Sequence, residues 1–237
     1  MKKYFIASLI LNVLFICLAG FAVYKKGGMK YLEAKTSQLR GKELQTDFKI
    51  DNHWRSRVSL FEVIPIDSND IVFIGNSITE RCEWSELFHN GEIINRGISG
   101  DATTGVMQRL FEVTQCCPRK IFLEIGINDL LLKKYSSEIA SNIDSIVSII
   151  EKDCPVTKLY ILSVLPVNNW KGLSNDTIQI LNHKIKNIAN SRYITFIDLY
   201  PYFVLDNNLK PNYYFDGLHL NGSGYLLLRK ILEPYLN

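Results

Sequence analysis

The chain has 237 residues, with 47% hydrophobic and 22% charged positions and a formal net charge of +3. That length accommodates one sizeable domain and not two comfortable ones. The small positive excess sits largely among lysines near the N-terminus, so no broad basic face for nucleic acid is expected.

The first predicted element is apolar. Lys2 and Lys3 precede an apolar run from Tyr4 to Tyr24, and Lys25 and Lys26 close it. A bilayer-spanning helix needs roughly 20 apolar residues, whereas a secretory signal has a shorter core of about 7–15. The run is long, and Asn12 is its one strongly polar member, which favours an uncleaved anchor over residues 1–26. A cleaved signal, with Gly20 and Ala22 near the cleavage site, is the alternative. Bulky Ile16 before Cys17 argues against a lipoprotein site. The flanking lysines alone place the C-terminal part in the cytoplasm. The signal-like start argues for export, and a periplasmic or extracellular catalytic part is the expectation adopted. Residues 27–66 read as a polar arm, and residues 67–237 as the catalytic domain.

From Asp70 onward, short runs rich in Ile, Val and Phe alternate with longer segments of helical period. Strands are predicted at 71–74, 92–95, 120–125, 158–164 and 193–197. Helices are predicted at 104–114, 136–152, 175–190 and 222–235, with Ser136 and Ser137 as an N-terminal cap. This alternation means an α/β fold of parallel strands joined by crossover helices. The strands read as apolar throughout because such sheets are covered on both faces. The five cysteines show no C-x-x-C spacing and read as small hydrophobes rather than metal ligands.

In such a sheet, chemistry belongs beyond the carboxyl ends of the strands. Gly75-Asn76-Ser77 follows the first strand, "NRGISGD" (95–101) the second and "GIND" (126–129) the third, and "FDGLHLNGSGY" (215–225) precedes the last helix. Each block alone reads as a turn or a cap. Together and in order they supply what acyl transfer to water requires: a nucleophile, an oriented base and oxyanion donors. Ser77 is the nucleophile candidate. His219 is the base candidate among four histidines, because Asp216 three residues earlier can fix its tautomer. His53, His89 and His183 read as surface or structural. The Ser77 amide, the Gly97 amide and the Asn128 side chain are the oxyanion-hole candidates.

These blocks resemble the SGNH/GDSL hydrolases over roughly residues 70–235. The match lies closest to the platelet-activating-factor acetylhydrolase-like and carbohydrate acetylesterase-like branches. The resemblance implies a three-layer α/β/α sandwich, flavodoxin-like, with a five-stranded parallel sheet. It also implies a serine esterase working through an acyl-enzyme without a metal or organic cofactor. By motif position it gives Ser77, Asp216 and His219 the catalytic roles and Ser77, Gly97 and Asn128 the oxyanion hole. Asn76 replaces the family's usual aspartate, a change expected to fall on local hydrogen bonding rather than on activity.

The strand-end loops are short and no insertion reads as a lid, so small acyl groups such as acetyl on a polar, carbohydrate-like carrier are expected. Longer-chain lysophospholipase or thioesterase activity is one alternative, and a non-catalytic binding protein on the same fold is another. Trp170 is a candidate for stacking on a sugar ring or for packing on its own domain. Tyr214, with Tyr213 and Phe215, is a candidate pocket wall.

Overall fold

The computed structural model describes residue 21 and residues 50–236, apart from 169, 193, 206 and 207. The apolar run of residues 4–24, and with it the anchor or signal expectation, otherwise lies outside the described residues. Among those described, no helix is long and apolar enough to cross a membrane.

The described residues from 50 to 236 form one compact unit. It opens with helix α1 (Asn52–Phe61), capped by the Asp51 carboxylate, which accepts from the Trp54 N–H at 2.8 Å. Trp54, Val58 and Phe61 recur at helical spacing, and the face they form packs against Ile98 and Ala102. The arm expected over 27–66 is therefore wrong at its C-terminal end. Residues 52–61 belong to the catalytic unit, because two large aromatic side chains are buried there.

Five strands follow: β1 (Ile71–Gly75), β2 (Ile93–Gly97), β3 (Lys120–Glu124), β4 (Lys158–Leu162) and β5 (Thr195–Ile197). They pair in parallel in the order β2-β1-β3-β4-β5. The order reverses between β1 and β3, and such a switch point opens a crevice at the strands' carboxyl ends. Helices α2 (Ser77–Glu80) and α3 (Trp84–Phe88) follow β1. After β2 come α4 (Thr103–Arg109) and α5 (Phe111–Thr114), and after β3 come α6 (Ile127–Leu131) and α7 (Ser136–Asp153). Helix α8 (Asn175–Ser191) precedes β5, and α9 (Gly222–Leu232) runs toward the C-terminus.

The single helix expected over 104–114 is two, with Leu110 as the joint between α4 and α5. The residue preceding α7 is Tyr135, which makes no side-chain cap, so the Ser136–Ser137 cap is not formed. The last helix gives way to a 3-10 turn at Glu233–Tyr235, where Pro234 cannot supply an N–H.

The three layers follow from where the apolar side chains go. Val72, Ile74, Ile121, Leu123 and Ile161 point to one face and meet Val106 of α4, Ile143 and Ile146 of α7, and Ile178 and Leu181 of α8. Ile71, Phe73 and Phe122 point to the other and meet Trp84 of α3 and Leu228 and Leu232 of α9. On that second face the rings of Phe73 and Phe122 stack at 4.6 Å, those of Phe122 and Tyr160 at 4.5 Å, and Trp84 caps Phe73 at 4.1 Å. This aromatic row ties three adjacent strands together beneath the switch point.

Candidate active site

β1 ends at Gly75 because nothing larger fits. A Cβ there would stand 2.6 Å from the Glu124 carbonyl and 2.2 Å from Thr79 Oγ1. The chain then turns at once into α2. The fully buried Asn76 accepts from the Ile78 N–H at 2.9 Å through Oδ1, capping that helix. Ser77 thus becomes its first residue, and no described residue accepts from its backbone N–H.

Ser77 Oγ lies 3.0 Å from His219 Nε2. The other ring nitrogen, Nδ1, lies 2.7 Å from Asp216 Oδ2. The turn carrying this pair is built locally. Asp216 Oδ1 accepts from the backbone N–H of Leu218 at 3.0 Å and of His219 at 2.8 Å. Phe215 N–H closes the turn onto the His219 carbonyl at 2.8 Å. Gly217 takes φ +84°, which glycine adopts without strain, and its carbonyl accepts from Asn168 N–H at 2.8 Å. Partial burial works against the Asp216 charge, but the hydrogen bonds from His219 and Leu218 outweigh it and hold the carboxyl below its ordinary range. An ionised carboxylate on Nδ1 holds that nitrogen as the donor and leaves Nε2 free to accept the serine proton.

Asn128 sits in the first turn of α6 at the carboxyl end of β3, and its Nδ2 donates to the Asp101 carbonyl at 2.8 Å. An amide nitrogen carries two hydrogens, so one remains for a ligand. Its neighbour Asp129 is structural. That buried carboxylate accepts from Thr103 N–H at 2.9 Å and Thr103 Oγ1 at 2.7 Å, pinning the start of α4.

Gly97 does not fit the role expected for it. Its N–H already donates to Asn95 Oδ1 at 2.8 Å. Its missing side chain serves packing instead, since a Cβ would stand 2.2 Å from the Glu80 nitrogen. β2 also runs through Gly97, two residues beyond its predicted end, so the rim starts later than expected. The loop that follows turns at Gly100, with φ +80° and the Asp101 N–H bonded to the Ile98 carbonyl at 3.0 Å. No described residue accepts from the Gly100 N–H.

Of the two side chains expected to meet substrate, Trp170 stands beside the site. It is half-buried, and its ring meets the His219 ring edge-on at 6.1 Å. Tyr214 does not form an open wall: it is 7% exposed and packs in the core against Phe203, while Phe215 faces solvent. Alternation of side chains beside the bridge between Tyr214 and Leu220 turns Tyr214 inward and Phe215 outward.

Glu124 is the residue that sequence reasoning passed over. It closes β3, is 4% exposed, and accepts from Asn76 Nδ2 at 2.9 Å through Oε2. Its other oxygen, Oε1, has no partner among the described residues. Burial pushes its carboxyl up to about 7 despite the Asn76 hydrogen bond. The signal available was a lone acid inside the apolar run "KIFLEIG". Among the described residues, no three His, Cys, Asp or Glu side chains are grouped to hold a metal ion.

Comparison with known proteins agrees with this geometry. The family model for the GDSL-like lipase/acylhydrolase family matches residues 73–227. The rat platelet-activating factor acetylhydrolase IB subunit alpha2 is 29% identical over 202 residues, covering 80% of this chain and 86% of its own. The structure of a candidate platelet activating factor from Streptococcus pneumonia is 30% identical with a TM-score of 0.70, covering 86% of this chain and 99% of that one. A GDSL-like lipase from Bacteroides thetaiotaomicron is 25% identical with a TM-score of 0.68, over 77% of this chain and 96% of that one. The sheet order, the strand-end blocks and these matches converge: the chain belongs to the GDSL-like lipase/acylhydrolase family and is an ester hydrolase of that family.

Proposed function

We propose that the chain hydrolyses short acyl esters, acetyl above all, on a polar, carbohydrate-like carrier through an acyl-enzyme on Ser77. The observation that carries this reading is the continuous line from Asp216 through His219 to Ser77, with contacts of 2.7 and 3.0 Å. His219 Nε2 takes the Oγ proton as Oγ attacks the ester carbonyl carbon, and the resulting imidazolium is stabilised by Asp216. The carbonyl oxygen becomes an oxyanion. Its donors are the Ser77 N–H, the second Asn128 hydrogen and, in place of Gly97, the Gly100 N–H. Collapse expels the carrier alkoxide, which takes the proton from His219. Water then enters, His219 removes its proton, and attack on the acyl-serine releases the acid and restores the hydroxyl.

Short acyl specificity rests on the short connections from β1 to α2 and from β3 to α6, and on Trp170 beside the imidazole. The acetylhydrolase named among the relatives points the same way. The reading extends to location. The Tyr4–Tyr24 run has the length a bilayer helix needs and would tether an exported catalytic unit, a cleaved secretory signal being the other arrangement. A fluorophosphonate probe tests the chemistry: it should label the wild type and not Ser77→Ala. A series of p-nitrophenyl esters tests the acyl group. The acetate should exceed the decanoate in kcat/KM, and the reverse order would assign the site to longer chains.

A further inference from the structure

Helix α1 lies upstream of the segment that matches the family model, which begins at residue 73. It nevertheless touches both segments that converge on the candidate site. On one side Trp54 Nε1 donates to Asp101 Oδ1 at 3.3 Å, in a buried contact. The same carboxylate takes Arg109 Nε on Oδ2 at 2.8 Å, and the Asp101 backbone carbonyl is the acceptor for Asn128 Nδ2. A single residue, Asp101, therefore stands between the indole and the Asn128 amide. The apolar part of the same contact is Trp54 and Phe61 against Ile98 and Ala102, which bracket the Ser99–Asp101 turn.

On the other side stands Glu80, the last residue of α2, the helix that Ser77 begins. Its Oε2 accepts from the Ser99 N–H at 2.6 Å. His53 Nε2 meets its two oxygens at 3.0 and 3.1 Å, and Arg57 Nε lies 3.1 Å from Oε1. Burial opposes the Glu80 charge, yet the Ser99 hydrogen bond and the His53 contact outweigh it and lower the carboxyl's pKa. One carboxylate thus joins the nucleophile's helix to the turn carrying the Gly100 N–H, and α1 braces that carboxylate from outside.

We propose that α1 is a positioning element for catalysis: Trp54 through Asp101, and His53 and Arg57 through Glu80, fix the Ile98–Asp101 turn and Asn128 relative to Ser77. None of these three side chains is a catalytic residue; each acts through another. The cause is geometric. Oxyanion donors contribute only when preorganised, and the loss of one typically lowers kcat by about 10²–10³-fold. Loosening the turn would forfeit a fraction of that without disturbing substrate affinity. A helix retained only to cover Ile98 and Ala102 would need the Trp54 ring but not its N–H, and would need no charge at Glu80.

This inference rests on the hydrolase reading, and the test separates the two. Trp54→Phe keeps an aromatic ring and deletes the donor, and Glu80→Gln keeps the shape and removes the charge. The full chain and both variants are assayed with p-nitrophenyl acetate for kcat and KM, with a fluorophosphonate for the rate of Ser77 labelling, and by thermal melting. The expected result is a fall in kcat and labelling rate of about tenfold in each variant. KM should be unchanged and Tm should stay within about 2 °C. If kcat stays at the wild-type value in both variants, or falls only in proportion to the unfolded fraction, α1 is packing alone and the positioning role is wrong while the hydrolase reading stands. If the wild type itself neither labels nor turns over, the hydrolase reading fails and this role fails with it.

Discussion

Asn76 Nδ2 donates to Glu124 Oε2 over 2.9 Å, so the residue before the candidate nucleophile is neutral and the carboxylate facing it comes from the adjacent strand. The sequence resemblance gives an aspartate at position 76. Here that position is an amide, and the acid it meets stands across the switch point at the end of β3. The single Asn76 side chain then bonds in two directions, to the Ile78 N–H and to Glu124.

Restoring the aspartate alone should therefore be harmful. Asn76→Asp places two carboxylates in a contact made for one donor and one acceptor, and such pairs cannot both ionise. The variant should lose about 1–3 kcal/mol by urea denaturation at pH 8, with a smaller loss at pH 5. Adding Glu124→Gln should recover most of the loss. A double-mutant cycle in which the two changes simply add would show that the pair does not interact.

Glu124 by itself sets a pH dependence whose sign follows from its raised pKa. In the unfolded chain it ionises near its ordinary 4.5, and in the folded chain near 7. Between those values the native state holds the extra proton, so stability falls as pH rises through this window and levels off above it. The cost at pH 8 is about 3 kcal/mol. Glu124→Gln should accordingly be more stable than the wild type at pH 8 and nearly equal to it at pH 4. Equal urea midpoints at both pH values would count against a carboxyl held neutral by burial.

Gly97 and Gly100 should respond unequally to the same substitution. At Gly97 the new methyl meets backbone, with the Glu80 nitrogen 2.2 Å away, and backbone cannot step aside as a flexible side chain can. Gly97→Ala should cost about 3 kcal/mol or more and reduce soluble yield. At Gly100 no atom lies within 4 Å, and the cost is the positive φ alone, about 1–2 kcal/mol. Gly100→Ala should fold with a Tm lowered by only about 2–8 °C, and its larger defect should be read in kcat.

Asp216→Asn tests the orienting carboxylate. The amide oxygen can still accept from the Leu218 and His219 N–H groups, so Tm should change little. The charge that fixes the imidazole tautomer is lost, and kcat for p-nitrophenyl acetate should fall by about a hundredfold or more. Because its hydrogen bonds hold the Asp216 carboxyl low, this residue stays ionised throughout the ordinary assay range. An acid limb in the wild-type profile will therefore report another group.

The strands and the longer helices were legible because their signals are local. Unbroken apolar runs mark β1 and β3, and helical period marks α7 and α8, each to within about two residues. Ser77, Asp216 and His219 were legible because each sits where a strand or turn ends in a polar block. What sequence could not give were properties set by a distant partner. Gly97 looked like a ligand-facing glycine, and only the proximity of Glu80 makes it a packing glycine. Tyr214 and Phe215 are adjacent aromatics, and only their place beside the bridge to Leu220 decides which is buried. Trp54 lay in a polar stretch whose docking depends on Ile98, 44 positions away.

The turn from Phe215 to His219 closes on itself, binding its own imidazole, carboxylate and backbone into one piece. Any tilt of that hairpin carries ring and acid along together, leaving their mutual spacing intact while the gap to Ser77 opens or narrows. In the proposed mechanism the 3.0 Å gap between Ser77 and His219 is thus spanned by two separately built parts, one near each end of the family segment.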